Sequence, residues 1–388
     1  MSTNTSVDPL PAGIRTPAFV IESAKLDQNL RCLAAIKQRS GAHVLFATKA
    51  FSAYSFFPRL SEYLDGTTAS GLYEARLGKE YFGKEVHVYS PGYSDEEFDA
   101  LMEYADHICF NSPGQIARYL DEAKRRGKQV GVRINPDLSQ VDYPRYDPCS
   151  PLSRFGVAPT DLDMLPWSEL DFIHIHALSD SMAAASVRLI QHMDVRFESY
   201  IRRVGTVNFG GGHYMTHPDY DRDAFIAAIQ AFREKYRVNV VLEPGASVVL
   251  DAGFMTTTVL DVLRNPSGRH MAIVDTSAAC HMIDILDIPY QPTIRGAGRS
   301  GEKKYEYTLG GKTCLSGDII GTFSFDSPLV PGTRLILEDM LQYNLVKGNF
   351  FNGVFRPDLA ELHADGRYEV HGRFGYADFN NFLMGHRP

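Results

Sequence analysis

A chain of 388 residues exceeds one ordinary hydrophobic core, so one large domain and a smaller one are expected. Its 44% hydrophobic and 22% charged residues are normal for a globular protein in water. The formal net charge of −8 at pH 7 leaves no basic surplus to neutralise phosphates, which argues against nucleic acid as a partner.

In chain order, the N-terminal MSTNTSVDPLPAGIRTP lacks the apolar core of a signal peptide. No later run approaches a membrane span, so no membrane partner is expected. The cysteines Cys32, Cys109, Cys149, Cys280 and Cys314 are odd in number, widely spaced and without a CxxC. That pattern argues against a disulfide framework or a zinc site and fits a reducing cytoplasm.

Ala18–Glu22 reads as a strand and Ser23–Gln38 as a helix. Short β-rich apolar runs follow at Val44–Lys49, Gly66–Ser70, Val86–Ser90, His107–Asn111, Val130–Asn135, Phe172–His176, Val207–Gly210 and Val240–Glu243. Helix-like stretches separate most of them, among them Pro113–Arg126 and Asp223–Arg237. The second carries Phe225, Ile226, Ile229 and Phe232 as a helical stripe. Strand alternating with helix about eight times predicts an α/β fold, a (β/α)₈ TIM-like barrel over residues 23–250. An open doubly wound sheet is the alternative. The Pro-, Asp- and Ser-rich segment Asp137–Pro166 breaks the rhythm and reads as a lid or binding loop. Beyond residue 250, Thr256–Leu263, Met271–Thr276, Tyr305–Leu309, Asp318–Phe325 and Arg334–Glu338 read as strands joined by Gly/Pro turns. They predict a β-rich second domain, residues 251–388, with residues 1–22 joining it.

Polar residues collect at one place in this pattern. Lys49, Ser70, Asn111, Arg133, Asn135, His176, Gly210–Gly212 and Glu243 all lie at or just after the C-terminal ends of the proposed strands, where barrels carry their active sites. Lys49 closes the apolar run HVLFATKA. Desolvation there lowers an amine's pKa and makes it nucleophilic; a lysine snorkelling from the rim is the alternative. Gly210, Gly211 and Gly212 follow the seventh strand, where successive N–H groups can converge on an anion. They match neither GxGxxG nor GK[ST], and a tight turn is the alternative. Glu243, in LEPGAS, can accept a hydrogen bond from a protonated ring nitrogen, or is a rim carboxylate beside a turn. His174 and His176 alternate with Ile173 and Ile175, which points both imidazoles inward. His176 can lie flat on a ligand ring, whereas His174 reads as a core histidine. A zinc pair lacks a third ligand at convincing spacing, so no metal is expected. Cys314, in GGKTCLSGD near Asp318, is a positioned acid or an inert buried thiol.

The strings ATKAFS, GTTASGLYEARLG, RINP with YDPCSPLSRFG, HIHAL, VNFGGGH, LEPG, DTSAACHM, GGKTCLSGD and EDMLQYNLVK with FFNG occur in that order between Thr16 and Asp358. Together they resemble the fold-type III PLP-dependent decarboxylases of the ornithine/diaminopimelate decarboxylase superfamily, most closely the carboxynorspermidine decarboxylase branch. The resemblance implies pyridoxal 5′-phosphate as cofactor, held by Lys49 as a Schiff base with His176 stacked on its ring. It implies that Glu243 pairs with the pyridine nitrogen and that Gly210–Gly212 bind the phosphate with Tyr343 nearby. Cys314 would enter from the partner subunit of a homodimer with shared active sites and protonate the product. Arg154 matches a basic residue of the lid-side motif, and Asp284 and Asp318 are expected to face the substrate.

Several substrate-facing positions depart from the branch: Ser179, Asp180, Ala246, Ile283, Leu341 and Gln342. The expected reaction is decarboxylation of an L-α-amino acid with a long amine-bearing arm, carboxynorspermidine or carboxyspermidine in polyamine biosynthesis. Trimming a 3-amino-3-carboxypropyl group to aminopropyl in a natural-product pathway is the alternative. An amino-acid racemase is disfavoured because Glu243 promotes protonation of the ring nitrogen. A non-catalytic PLP-binding protein is disfavoured by the large C-terminal domain.

Overall fold

The computed structural model describes residues 14–288 and 290–385. Residues 1–13, which the sequence assigns to the second domain, lie outside the described residues. Packing divides the chain into a unit from Gln28 to Val248 and a second that joins the residues up to Asp27 to those from Val249 onward.

Strand β1 (Ala18–Glu22) leads into the helix Ser23–Ser40, which buries Leu26, Leu30, Leu33 and Ile36 at helical spacing. Eight strands follow: β2 (His43–Ala47), β3 (Gly66–Ala69), β4 (Glu85–Tyr89), β5 (His107–Phe110), β6 (Gln129–Arg133), β7 (Phe172–His174), β8 (Thr206–Asn208) and β9 (Asn239–Leu242). Each pairs in parallel with the next, and β9 returns to β2 through His43↔Val241 and Val44↔Leu242, closing a barrel. The closed ring is the (β/α)₈ architecture and removes the doubly wound alternative. Intervening helices begin at polar caps: Ser112 accepts from the Gln115 N–H before Pro113–Arg125, and Asp221 from the Ala224 N–H before Arg222–Tyr236.

Alternation along the strands sorts the side chains. Val86, Val88, Ile108, Val130, Val132 and Ile173 are at most 1% exposed and point outward to the helices. The residues between them line the lumen. Contacts across it prove this: the Tyr89 ring of β4 lies 5.4 Å from that of His174 on β7. The strands stop earlier than the apolar runs suggest. Strand β2 ends at Ala47, and Lys49 sits in the 3₁₀ turn Thr48–Ala50; β7 ends at His174, short of His176. The segment 137–166 is irregular apart from the 3₁₀ helix Pro159–Met164.

The second unit is a mixed sheet of β10 (Gly253–Arg264), β11 (His270–Val274), β12 (Gly298–Arg299), β13 (Tyr305–Gly310), β14 (Ile319–Phe325), β15 (Arg334–Glu338), β16 (Asp358–Leu362) and β17 (Tyr368–Gly372), together with β1. Strand β1 pairs antiparallel with β10 and parallel with β16. Among the described residues no helix is long and apolar enough to cross a membrane.

Candidate active site

The backbone N–H of Ala47 donates to the Pro244 carbonyl at 2.9 Å, which ties the end of β2 to the end of β9. Gly245 permits this approach, since a Cβ there would stand 2.8 Å from that of Ala50. Lys49 and Glu243 are thereby placed in one electrostatic neighbourhood. Burial lowers the Lys49 pKa; Glu243 opposes that shift and Arg133 adds to it. Among the described residues the Lys49 amine has no hydrogen-bond or ion-pair partner. A desolvated, unpartnered amine is the form that attacks a carbonyl carbon.

Glu243 is 6% exposed and accepts from Asn208 Nδ2 at 2.7 Å. Burial alone would raise its pKa, but the neighbouring His174 and the Asn208 amide outweigh it and hold Glu243 ionised. His174 Nε2 lies 3.3 Å from a Glu243 oxygen, yet at angles that make no hydrogen bond, and neither nitrogen of this buried ring has a partner. Burial lowers the His174 pKa, and Glu243 opposes that shift. The chain therefore sets an acceptor and an unsatisfied imidazole side by side at the end of the lumen.

The His176 backbone carbonyl accepts from Arg133 Nη2 at 2.9 Å. Arg133 is itself clamped between the rings of Tyr89 and Phe155, at 4.5 and 4.6 Å. His176 Nδ1 accepts from the Gly211 N–H at 3.2 Å, which fixes the ring's tilt. Burial, then Lys49 and Arg133, push the His176 pKa well down, so the ring is neutral and flat-faced.

The glycine run departs from a simple anion nest. The Gly210 N–H donates to Asn208 Oδ1 at 2.8 Å and the Gly211 N–H to His176. Among the described residues Gly212 is the one of the three whose N–H has no acceptor. Gly210 and Gly212 have φ of +65° and +82°, and a Cβ on Gly212 would stand 2.1 Å from the Leu178 carbonyl oxygen. A Cβ on Gly211 would come within 2.6 Å of the Glu243 carbonyl oxygen.

The other strand-end residues have plainer roles. Asn111 Oδ1 accepts from Tyr89 Oη and from the Gly156 N–H, both at 2.7 Å, and so pins the 137–166 segment to the barrel. Arg154 is exposed, with its guanidinium 4.4 Å over the Phe155 ring. His213 is 2% exposed and bonded to Ser186 Oγ at 2.8 Å, a core histidine with its pKa pushed down to about 4 by burial.

Within the second unit, Cys314 is exposed, which sets aside the buried-thiol alternative. Asp318 is 3% exposed. Its carboxylate accepts from Ser277 Oγ at 2.9 Å, Thr313 Oγ1 at 2.7 Å, and the N–H groups of Ala279 and Thr313 at 3.2 Å. Expected to face substrate, it instead shapes the loop that carries Cys314. Asp284 pairs with Lys347, whose ammonium lies 5.2 Å over the Tyr343 ring. Tyr343 sits at φ +60°. Leu341, also expected to face substrate, is fully buried; a Cβ on Gly253 would meet its Cδ1 at 2.7 Å. It belongs to the sheet core.

The family described as pyridoxal-dependent decarboxylase, C-terminal sheet domain, matches residues 20–340. The chain belongs to the pyridoxal-dependent decarboxylases. It is 39% identical to a carboxyaminopropylagmatine decarboxylase of Synechocystis sp., over 98% of each chain. It is 34% identical to a carboxynorspermidine/carboxyspermidine decarboxylase of Campylobacter jejuni, over 95% of this chain and 98% of that one. The crystal structure of carboxynorspermidine decarboxylase from Campylobacter jejuni complexed with norspermidine superposes with a TM-score of 0.87 at 33% identity, covering 94% of this chain and 99% of that one. A diaminopimelate decarboxylase from Helicobacter pylori, at 19% identity and a TM-score of 0.78, shares the fold.

Pyridoxal phosphate is the cofactor of this decarboxylase family, and the barrel residues fit it. An unpartnered, partly desolvated amine, a buried anion, a neutral flat imidazole and a free N–H in a cradle that a Cβ would fill match an aldehyde, a protonated pyridine, an aromatic face and a phosphate in turn. Two contributors went unassigned in the sequence, Arg133 as the anchor of His176 and Asn208 as the donor to Glu243. The signal for Asn208 was its place two residues before Gly210, on the lumen face of VNFGGG.

Proposed function

We propose that this decarboxylase acts on carboxynorspermidine or carboxyspermidine in polyamine biosynthesis, an L-α-amino acid with a long amine-bearing arm. The observation that carries the reading is its 34–35% identity, over 95% of this chain, to two carboxynorspermidine/carboxyspermidine decarboxylases, from Campylobacter jejuni and Herminiimonas arsenicoxydans. A second reading has support of its own. The 39% identity to the Synechocystis enzyme favours carboxyaminopropylagmatine, in which a guanidinium would replace the terminal ammonium. Both readings share one reaction, loss of CO₂ from a carboxyaminopropyl group to leave aminopropyl.

Bound pyridoxal phosphate supplies the electron sink for the pair left when CO₂ departs. Lys49 is the amine that holds it. Glu243 keeps a proton on its ring nitrogen, with Asn208 steadying the carboxylate. His176 covers one ring face, and Gly212, with Gly210 and Gly211 shaping the turn, receives the phosphate alongside Tyr343. Arg154 and Asp284 face the substrate. Cys314 delivers the proton to the substrate carbon from the partner subunit of a homodimer; its exposure on a single chain supports that role. The odd number and wide spacing of the five cysteines support a cytoplasmic enzyme.

The test is CO₂ release by the purified holoenzyme from carboxynorspermidine, carboxyspermidine and carboxyaminopropylagmatine. The first reading expects the highest kcat/KM with one of the first two. A clear preference for the agmatine conjugate moves the assignment to the second reading, and preference for diaminopimelate or ornithine overturns both.

A further inference from the structure

Strand β4 reads Glu-Val-His-Val-Tyr from Glu85. Period two sends Val86 and Val88 to the helices and turns Glu85 and His87 into the lumen. Strand β5 opens with His107, and the register His87↔His107 sets two imidazoles side by side. Their rings stack at 3.8 Å with 12° between planes. Phe172 of β7 floors the cluster, with its ring 6.5 Å from His87 and 5.9 Å from His107. Gly131 makes room for that ring, since a Cβ there would stand 2.4 Å from it. These residues occupy the N-terminal mouth of the barrel, at the opposite strand ends from Lys49. Barrels ordinarily fill such layers with branched apolar side chains.

We propose that this mouth is a divalent transition-metal site with Glu85, His87 and His107 as ligands. One ligand atom from each lies within 4.8 Å of the other two. Around a zinc-like ion, with bonds of about 2.0–2.2 Å, ligand atoms sit roughly 3.3 Å apart, so closure needs shifts of about an ångström. The Glu85 side chain is 46% exposed, and its Oε2 already lies 3.4 Å from His87 Nε2, so the carboxylate stands beside one of the other ligands. Glu85 is exposed and His107 half-buried, which leaves water access to a coordination position. Two imidazoles and one carboxylate suit zinc, cobalt or nickel; calcium and magnesium require oxygen sets.

An outer shell is already assembled. His43 Nε2 lies 2.9 Å from Glu85 Oε2, and His43 Nδ1 lies 3.5 Å from Asp65 Oδ2. Asp65 is fixed by Lys37 Nζ at 2.8 Å and the Val44 N–H at 3.0 Å. This Asp–His–Glu chain orients the ligand carboxylate, as outer partners of metal ligands do. The bound ion would pin β4 to β5 and stabilise the folded state by mass action.

The experiment titrates pyridoxal-phosphate-loaded enzyme with Co²⁺, read by its visible absorbance, and with Zn²⁺, read by calorimetry and by Tm. Saturation with cofactor occupies His176 and Glu243, which with His174 form the other His/Glu group. The expected result is one ion per chain and a Zn²⁺-dependent rise in Tm. Glu85→Gln and His107→Asn should each weaken binding by more than about 10-fold, and His43→Ala by about 10-fold. Glu85→Gln changes an exposed side chain, so it decides the matter even where His107→Asn fails to fold. No binding by the wild type, or equal binding by wild type and Glu85→Gln, overturns the proposal.

Discussion

The two mouths of the barrel are lined from the same eight strands and are both rich in polar groups, yet they treat those groups in opposite ways. At the N-terminal mouth, polar side chains meet partners: His43 with Glu85 and Asp65, Lys37 with Asp65, Lys79 with Asp106. At the C-terminal mouth, both nitrogens of the buried His174 ring are left without partners, and the half-buried Lys49 amine has none among the described residues. A buried polar group without a partner costs about 1–3 kcal/mol. A fold tolerates several together where a ligand completes them. The unpartnered His174 ring thus suits a mouth that a ligand completes, and the paired mouth offers a preassembled shell instead.

Substitutions at the two ends should separate sharply. The largest effect falls on Lys49→Ala, which should reduce CO₂ release by more than about 10³-fold, about 4 kcal/mol of barrier. Steady-state ¹⁴CO₂ release measures it, and near-normal turnover would remove Lys49 from the chemistry. Glu243→Gln should retain the cofactor, read by its absorbance, and lose about 10²-fold in kcat, about 3 kcal/mol. An unchanged kcat would make Glu243 a rim carboxylate. On the proposed homodimer with shared sites, mixing the Lys49→Ala and Cys314→Ala chains in equal amounts should restore about a quarter of wild-type activity, because each hybrid would have one intact site. Subunit exchange is verified by native mass spectrometry. No recovery would exclude Cys314 from a shared site.

Acid sharpens the comparison differently. His213 is buried and neutral in the folded chain, with a pKa lowered to about 4, whereas an unfolded histidine protonates near about 6.5. The unfolded state binds more protons between these values. Stability from this group is therefore full above about 6.5 and is lost as pH falls toward about 4, by up to about 3 kcal/mol. Urea midpoints at pH 7 and pH 5 read it, and His213→Gln should shrink the difference by its share, the rest coming from other desolvated histidines such as His107 and His281. The smallest effect belongs to the other mouth. Glu85→Gln should leave kcat/KM within about twofold, as exposed substitutions do; a large loss would couple the two ends.

The barrel was legible because eight β/α alternations are hard to fold otherwise, and the cofactor-end residues because strand ends converge. Strand ends were misplaced because the turn Thr48–Ala50 is set by backbone hydrogen bonds, not by hydropathy. Strand β16 was invisible because Asp358, 1% exposed and paired with Arg15 and Arg373, makes a core strand look polar, and β17 because none of its residues is buried. His213, next to the glycines in sequence, belongs to the core because its ring is bonded to Ser186 Oγ, a partner that sequence spacing does not show. The cluster of Glu85, His87 and His107 escaped because its members come together through strand register, across 20 residues of sequence between the two histidines.

The central claim is that Lys49 carries the cofactor. Borohydride reduction of the holoenzyme, followed by digestion and mass spectrometry, tests it directly. The account predicts one phosphopyridoxyl group per chain, on Lys49 in the peptide that contains ATKAFS. Reduction that labels a different lysine, or that leaves the bound cofactor unattached, would contradict it.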